Sequence, residues 1–295
     1  MKKTGFLFIV VMALTLSSCK KEDVFATWRD PSKTIIISDE SYLTMMQYNI
    51  LGADPDWDSD RFDRISAVIS SQKPDFVSLN EVDSMTTRNP VFMARELADR
   101  TGMNYAYAPA IKEGDKSWGN WDGVGAFGDA ILSKHPILEI KRFSLMPDDA
   151  QGTNHKEIRS VCAIRVNLKG HDLWIASTHL DHRTEETSRI YQVEQLRESV
   201  IPQLGGPLIL CGDLNANPTR KSMVNLQEFM APQHPSYTPE YYTFPSKYFS
   251  PTPSDLIDYV LLKKDDTLLR RLNYRIVNSP ASDHCAVVAT FRIVE

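Results

Sequence analysis

The chain has 295 residues, of which 42% are hydrophobic, 24% charged and 9% aromatic. This balance excludes a disordered, collagen-like or fibrous polypeptide. Its 33 basic and 38 acidic side chains give a formal charge of −5, which excludes a polycation that holds nucleic acid by bulk electrostatics.

In chain order, the first element is an address. Met1-Lys2-Lys3 is a basic start, and Gly5–Leu16 is an apolar run of 12 residues, too short for a bilayer, which needs about 20, but of signal-peptide length. Leu16-Ser17-Ser18-Cys19 follows. It resembles a bacterial lipobox, which implies a signal peptide over 1–18, lipidation of Cys19 and membrane anchoring without a spanning helix. The plainer reading is an ordinary secretory signal with a chance cysteine; the order of basic start, apolar core and cysteine favours the lipobox. Removing the first 18 of 295 residues leaves 277 and, with Lys2 and Lys3 gone, takes the formal charge from −5 to −7. Lys20-Lys21-Glu22-Asp23 is similar to the charged export tags of some surface lipoproteins, and reads equally as a solvated tether over 19–40. An outer-membrane lipoprotein, on its periplasmic or surface face, is the expected location. The other cysteines, Cys162, Cys211 and Cys285, lie in apolar stretches without metal-type spacing and read as core thiols.

Residues 41–295 read as one domain, with no linker, repeat or low-complexity break. Thr44–Ile50 is a predicted strand. Phe62, Ile65, Val68 and Ile69 recur at helical spacing and predict a helix over Arg61–Ser71, stopped by Lys73-Pro74. Phe76–Leu79 is a strand. Pro90 opens a second helix that Gly102 ends. Ala130–Leu132, Ile158–Leu168 and Leu173–Ser177 are strands, Thr184–Ser199 is a long helix, and Pro207–Cys211 is a buried strand. Leu256–Leu262 and Cys285–Ile293 are expected to be the last two strands. Hairpin-like strand pairs mixed with helices predict an α/β fold of two packed sheets with helices outside.

Polar clusters recur where apolar strands end: Tyr48-Asn49-Ile50, Leu79-Asn80-Glu81-Val82, Ser177-Thr178-His179-Leu180-Asp181-His182, Cys211-Gly212-Asp213-Leu214-Asn215, Leu256-Ile257-Asp258-Tyr259 and Ser282-Asp283-His284. A strand holds such groups rigidly at the rim of a cleft. Hard oxygen donors suit Mg2+ or Mn2+, and neighbouring histidines bind phosphate or move protons.

These six elements, in this order, resemble the endonuclease/exonuclease/phosphatase superfamily, whose members include deoxyribonucleases, abasic-site endonucleases, neutral sphingomyelinases and inositol polyphosphate 5-phosphatases. The resemblance covers residues 42–294. Gly128-Asp129-Ala130-Ile131-Leu132-Ser133 adds to it, being similar to the Gly-Asn-Ala-Ile-Leu-Ser run of bacterial metal-dependent hydrolases. It implies a four-layer α/β sandwich and a Mg2+-dependent phosphoesterase, with Mn2+ as the alternative ion. By the same resemblance Glu81, Asn49 and Asp283 are metal residues. Asp213 orients or deprotonates the attacking water, and Asn215 holds it and the transition-state oxygens. His179 and His284 form the phosphate-binding, proton-handling pair, Asp258 fixes the tautomer of His284, and Arg159 is a substrate arginine.

Taken singly, several of these residues have plainer readings. Asn49 suits a strand-end turn, Glu81 a solvated charge, Gly212–Asn215 a capped β-turn, His179 a core histidine and Asp283-His284 an N-capping pair. His135, His155, His171 and His234 read as surface or loop residues. Trp118, Trp121 and Phe127 read equally as a substrate loop or a packed hairpin, and Tyr241–Phe244 as core or cleft wall. The expected partners are a phosphoester substrate (a lipid head group, a small phosphodiester or nucleic acid) and the membrane through the N-terminal lipid, with the protein a monomer. The acidic mature charge gives no support to nucleic acid. Ala216-Asn217-Pro218 and Ser282-Asp283-His284 stand where inositol 5-phosphatases carry other residues, which argues against that branch. The rival reading is a non-catalytic surface lipoprotein that keeps the fold for binding.

Overall fold

The computed structural model describes residues 26–27, 41–52, 60–114, 123–148 and 158–294. The signal peptide, Cys19, nearly all of the tether, Trp118, Trp121 and His155 lie outside the described residues. Among the described residues no helix is long and apolar enough to cross a membrane.

The strands are β1 (Ala26–Thr27), β2 (Tyr42–Asn49), β3 (Phe76–Ser84), β4 (Asn104–Ile111), β5 (Ala126–Ser133), β6 (Glu139–Leu145), β7 (Arg159–Leu168), β8 (His171–His179), β9 (Leu208–Asp213), β10 (Met230–Pro232), β11 (Asp258–Lys263), β12 (Leu269–Val277) and β13 (Ala286–Ile293). One sheet has the order β1-β4-β5-β3-β2-β13-β12 and the other β10-β11-β9-β8-β7-β6. The sheets pack face to face over an apolar layer that includes Met45, Phe76, Ile131, Ile164, Ile175, Ile209 and Val287. The outer face of the first sheet is covered by α1 (Arg61–Gln72) and α2 (Met93–Thr101) through Phe62, Ile65, Ile69, Met93 and Leu97. The outer face of the second is covered by α3 (Thr187–Gln195), α4 (Ile201–Leu204) and α5 (Lys221–Leu226) through Val193, Leu204, Met223 and Leu226. The result is the expected four-layer α/β sandwich.

Two βαβ units give the molecule its working end. β2 runs through α1 into the parallel β3, and β8 runs through α3 and α4 into the parallel β9. In both, the carboxyl ends of neighbouring strands finish side by side: Asn49 stands opposite Asn80, and His179 opposite Asp213. β11 runs antiparallel to β9 and sets Asp258 opposite Asp213.

Several boundaries differ from expectation, each for a local reason. The last two strands of the sequence reading are separated by β12, whose Leu-Arg-Arg-Leu-Asn-Tyr-Arg-Ile-Val is buried only at Leu269 and Tyr274. It is an edge strand, as is β6, and edge strands carry charges that break up apolar patterning. β4 escapes notice because Pro109 and four small or polar neighbours interrupt it; its register shifts between Pro109 and Ile111. α2 starts at Met93, after Pro90, and ends in left-handed Gly102. The long helix ends its α-helical part at Gln195 and opens into a π-turn over Leu196–Val200. Pro202, just beyond, has no N–H to return to the preceding turn. Cys162, Cys211 and Cys285 are buried free thiols, as expected. His171 is exposed and His234 half-buried, but His135 stacks on Phe76 at 5.1 Å.

Candidate active site

Glu81 owes its place to a break in its own strand. Between Leu79 and Val82 the register of β3 against β5 shifts, and Glu81 has φ of 60°, a left-handed conformation that costs an L-residue free energy and marks functional backbone. Gly52 packs against it so closely that an added Cβ would lie 1.9 Å from the Glu81 carbonyl oxygen. The 49–52 corner is fastened by Asn49 Oδ1, which accepts from Leu51 N at 3.0 Å, and by Asn89 Nδ2, which donates to Gly52 O at 2.6 Å. Arg61 caps it by donating to Ile50 O and Leu51 O.

Asn49 joins the two sheets. Its Nδ2 donates to Glu81 Oε1 at 3.1 Å and to Asp213 Oδ2 at 3.0 Å. As oriented, it presents an amide N–H rather than an oxygen to the carboxylates, so it holds them in place from behind. Asn80, one residue before Glu81, is a fully engaged buried hub. Its Oδ1 accepts from Gln47 Nε2 at 2.6 Å and Asp213 N at 2.9 Å, and its Nδ2 donates to Asp129 Oδ1 at 2.6 Å and Thr178 O at 3.0 Å. Asp129 also accepts from Ser160 at 2.6 Å, and burial lifts its pKa to about 6.

A chain of ionisable groups crosses the cleft floor. Asp258 Oδ2 lies 2.9 Å from His284 Nδ1, His284 Nε2 lies 3.6 Å from Asp213 Oδ2, and His179 Nε2 lies 3.4 Å from the same oxygen. The backbone N of Asp258 donates to Thr243 Oγ1, and Cys285 N donates to Thr243 O. Ser282 Oγ donates to Asn49 O at 2.7 Å. Phe244 rests on the His284 ring at 4.7 Å. Thus Thr243 belongs to the core and Phe244 to the cleft wall. Burial opposes charge on His284, but Asp258 and Asp213 outweigh it and raise the pKa to about 10. His284 is therefore an imidazolium at neutral pH. His179 is pushed the other way, first by burial and then by Arg159, and stays neutral. Asn215 Nδ2 stands 2.9 Å from His179 Nε2 and donates to Leu180 O at 3.0 Å. The pKa of Asp213 is raised by burial and then by Asp258, which strengthens it as a base.

Glu81, Arg159, His179, Asp213, Asn215, Asp283 and His284 line one cleft of about 340 Å3, together with Arg88, Phe127, His182 and Phe244. Asn49 and Asp258 lie just beneath its floor. Arg88, His182 and the hub Asn80 were given no role by the sequence, whereas Phe127 and Phe244 take up the substrate-loop and cleft-wall alternatives it left open. His182 follows Asp181 in an already polar loop, a usable signal. Arg88 has none: it reaches the cleft by a bidentate pair with buried Asp83, at 2.8 Å for both contacts, and lies over Phe127.

The donor chemistry fits a hard divalent cation. Asp283 has its pKa raised by burial and, further, by the neighbouring charges of Glu81 and Asp258; a dication relieves such crowding. Donor atoms of Asp213, Asp258 and His284 also gather within 4.8 Å of one another. However, the facing atoms of Asp258 and His284 are already bonded to each other. These three are better suited to handling protons, which leaves Glu81 and Asp283 as the carboxylates open to an ion.

Residues 46–284 match the family described as Endonuclease/Exonuclease/phosphatase family. No curated protein matches the chain. Among solved structures, an endonuclease/exonuclease/phosphatase from Bacteroides vulgatus is 18% identical, with a TM-score of 0.67 over 86% of this chain and 99% of its own. A mannosyl-6-phosphatase from Bacteroides thetaiotaomicron is 16% identical, with a TM-score of 0.64 over 84% and 99%. The human Nocturnin catalytic domain with bound sulfate anion is 22% identical, with a TM-score of 0.62 over 86% and 94%. At these identities the likeness concerns the fold.

Proposed function

Since the chain belongs to the endonuclease/exonuclease/phosphatase family, whose members are phosphoester hydrolases, we propose that it is a lipid-anchored, Mg2+-dependent phosphodiesterase. The observation that carries this reading is the meeting of Asp258, His284, Asp213 and His179 in one line beside Glu81 and Asp283. Glu81 and Asp283 would hold the ion, which supplies Lewis-acid polarisation of a phosphoryl oxygen when bound. Asp213 orients water for in-line attack and accepts its proton. Asn49 keeps the Asp213 carboxylate aimed. His284, held charged by Asp258, neutralises the charge that builds on the phosphoryl oxygens, and the Asn215 amide adds a neutral donor. Arg159 offers a further cation on the substrate side.

Charge balance supports the diester over the monoester. With a dication held by Glu81 and Asp283, the charges of Glu81, Asp213, Asp258 and Asp283 would be balanced by that ion, His284 and Arg159, while Arg88 is already neutralised by Asp83. A site near neutrality accommodates one substrate charge more easily than two. A mannosyl-6-phosphatase shares the fold, so monoesters belong in the assay. Export and anchoring through Cys19 complete the reading and suit a lipid head group or another small extracellular phosphodiester.

The test is hydrolysis of bis-4-nitrophenyl phosphate, plasmid DNA, RNA, sphingomyelin, inositol phosphates and a sugar phosphate, with and without chelator. Chelator-sensitive turnover of a diester is expected, abolished in Asp213→Ala and His284→Ala while circular dichroism is unchanged. Wild-type rates in both variants would overturn the mechanism. Absence of turnover on every substrate would favour the non-catalytic reading.

A further inference from the structure

Between the apolar layer and the cleft lies a row of polar side chains that the proposed chemistry does not use. Along the inner face of β2, Met45 belongs to the apolar core, whereas Gln47 and Asn49, which follow it at alternate positions, are buried polar groups. β3 repeats the step with Phe76, Ser78 and Asn80, and β8 repeats it with Ile175, Ser177 and His179. Gln47 stands opposite Ser78 in the parallel pair. Gln47, Ser78 and Ser177 are fully buried, and burying a polar side chain costs free energy unless its hydrogen bonds are made.

The row runs in one direction, and backbone groups fix that direction. Asp213 N, a backbone donor, approaches Asn80 Oδ1 at 2.9 Å, and the Thr178 carbonyl accepts from Asn80 Nδ2 at 3.0 Å. Both ends of the Asn80 amide are thereby assigned. An oxygen at Asn80 Oδ1 requires a donor in the contact of 2.6 Å with Gln47, so the Gln47 atom there is Nε2. Gln47 Oε1 then accepts from Ser78 Oγ at 2.6 Å, and Ser78 Oγ lies 2.7 Å from Ser177 Oγ. The second N–H of Gln47 serves the other sheet, where Asp258 Oδ1 lies 3.3 Å from Nε2. Asp258 is fully buried and has its other oxygen, Oδ2, 2.9 Å from His284 Nδ1. β11 and Thr243 hold the Asp258 backbone, but the carboxylate still turns about its last torsion, whose preference is broad. A donor on the second oxygen sets that torsion and satisfies an acceptor shut away from water.

We infer that Gln47 is a positioning residue: through Nε2 it holds Asp258 Oδ1 so that Oδ2 faces His284, and through Asn80 it ties that pair to the strand end of Asp213. This rests on the phosphodiesterase reading above. Gln47 is buried and does not line the cleft, so it acts on the reaction only by keeping the Asp258 carboxylate in the plane that His284 needs. A neutral amide suits the post. A lysine or arginine there would compete with His284 for the Asp258 charge, whereas the amide orients the carboxylate and leaves its charge to the imidazole.

The experiment is a double-mutant cycle on hydrolysis of bis-4-nitrophenyl phosphate by the Mg2+-loaded protein, with wild type, Gln47→Met, Asp258→Asn and the double variant, and with Tm measured for each. Methionine nearly keeps the volume and removes the donor. Gln47→Met is expected to lower kcat about 3- to 10-fold, the worth of one hydrogen bond, with KM unchanged. In the Asp258→Asn background the same substitution is expected to change kcat by less than about 2-fold, because residues that act as a unit are not additive. A role in packing alone would cost the same factor in both backgrounds. Ser78→Ala, which releases Gln47 Oε1, is expected to give a smaller fall that also disappears in the Asp258→Asn background, and it supplies the same comparison should Gln47→Met melt below the assay temperature. Wild-type kcat in Gln47→Met and Ser78→Ala, or equal fold-losses in the two backgrounds, overturns the inference alone. A wild type inert toward the diester fails the phosphodiesterase reading, and the inference with it.

Discussion

Replacing Asp258 by Asn tests the ionisable chain at its most buried link. The substitution preserves shape but removes the charge 2.9 Å from His284 Nδ1. The rise of the His284 pKa from 6.5 to about 10 corresponds to on the order of 5 kcal/mol in favour of the imidazolium, at about 1.36 kcal/mol per unit. Asp258 shares that effect with Asp213 and Asp283, so its own part is closer to a charged hydrogen bond, about 1.5–3 kcal/mol. The expected fall in kcat is then roughly 10- to 150-fold. Without Asp258, burial is less opposed and the His284 pKa drops, and the Asp213 pKa drops with it because Asp258 helps to raise it. The pH dependence of stability should change as well. A histidine whose folded pKa is raised stabilises fully below its unfolded value of 6.5 and loses that stabilisation as pH climbs through about 10. Wild type should therefore lose Tm across this alkaline window, and Asp258→Asn should lose less. Steady-state kinetics, melting curves against pH and NMR titration of the His284 imidazole read all three effects. Unchanged kcat together with an unchanged imidazole titration would refute the reasoning.

Three further outcomes are expected. Gly52→Ala would put a Cβ 1.9 Å from the Glu81 carbonyl oxygen, so it should displace Glu81 and weaken Mn2+ binding by about 10- to 100-fold; calorimetry that returns the wild-type Kd would show that Glu81 does not depend on this contact. Asp129→Asn should flatten the stability profile on the acid side. Burial raises the Asp129 pKa from 3.8 to about 6, so wild type loses on the order of 3 kcal/mol of stabilisation as pH rises through that window. Urea titrations from roughly pH 4 to pH 7 that show the same dependence of stability on pH in the two proteins would contradict this. Cys19→Ala should release the protein from membranes without loss of catalysis, and unchanged fractionation would count against the anchor.

Much of the site was legible because its residues stand where apolar strands stop. Phe76–Leu79 running into Asn80-Glu81, and Leu208–Cys211 running into Gly212-Asp213, are local patterns that need no knowledge of the fold. The strands missed were those whose environment is set from outside. β6 and β12 lie at sheet edges, and β4 carries a proline and a register shift. Arg88 gives no local sign, since it reaches the cleft through an ion pair with Asp83, and for Phe244 the choice between core and cleft wall falls to its packing on His284. Asn49 was identified as a site residue, yet its direction was not readable. Only the structure turns its N–H toward Glu81 and Asp213.

By itself, the sequence determined the kind of groups available: carboxylates, amides and histidines at strand ends, in an order that resembles a family of phosphoester hydrolases. Residue type and local patterning carry the groups and their places, because hardness of donors and strand periodicity are properties of short segments, while the reaction class comes from the resemblance. The tertiary structure alone decided the surroundings of each group. Asp213 and Asp258 are the same residue type, and so are His179 and His284. Burial, parallel register and the approach of one sheet to the other make Asp213 a strengthened base, pair Asp258 with a charged His284, keep His179 neutral beside Arg159, and bring His182 to the cleft wall. These differences come from distances between segments far apart in the chain, and electrostatic energies depend on those distances and on the exclusion of water, neither of which exists until the two sheets have packed.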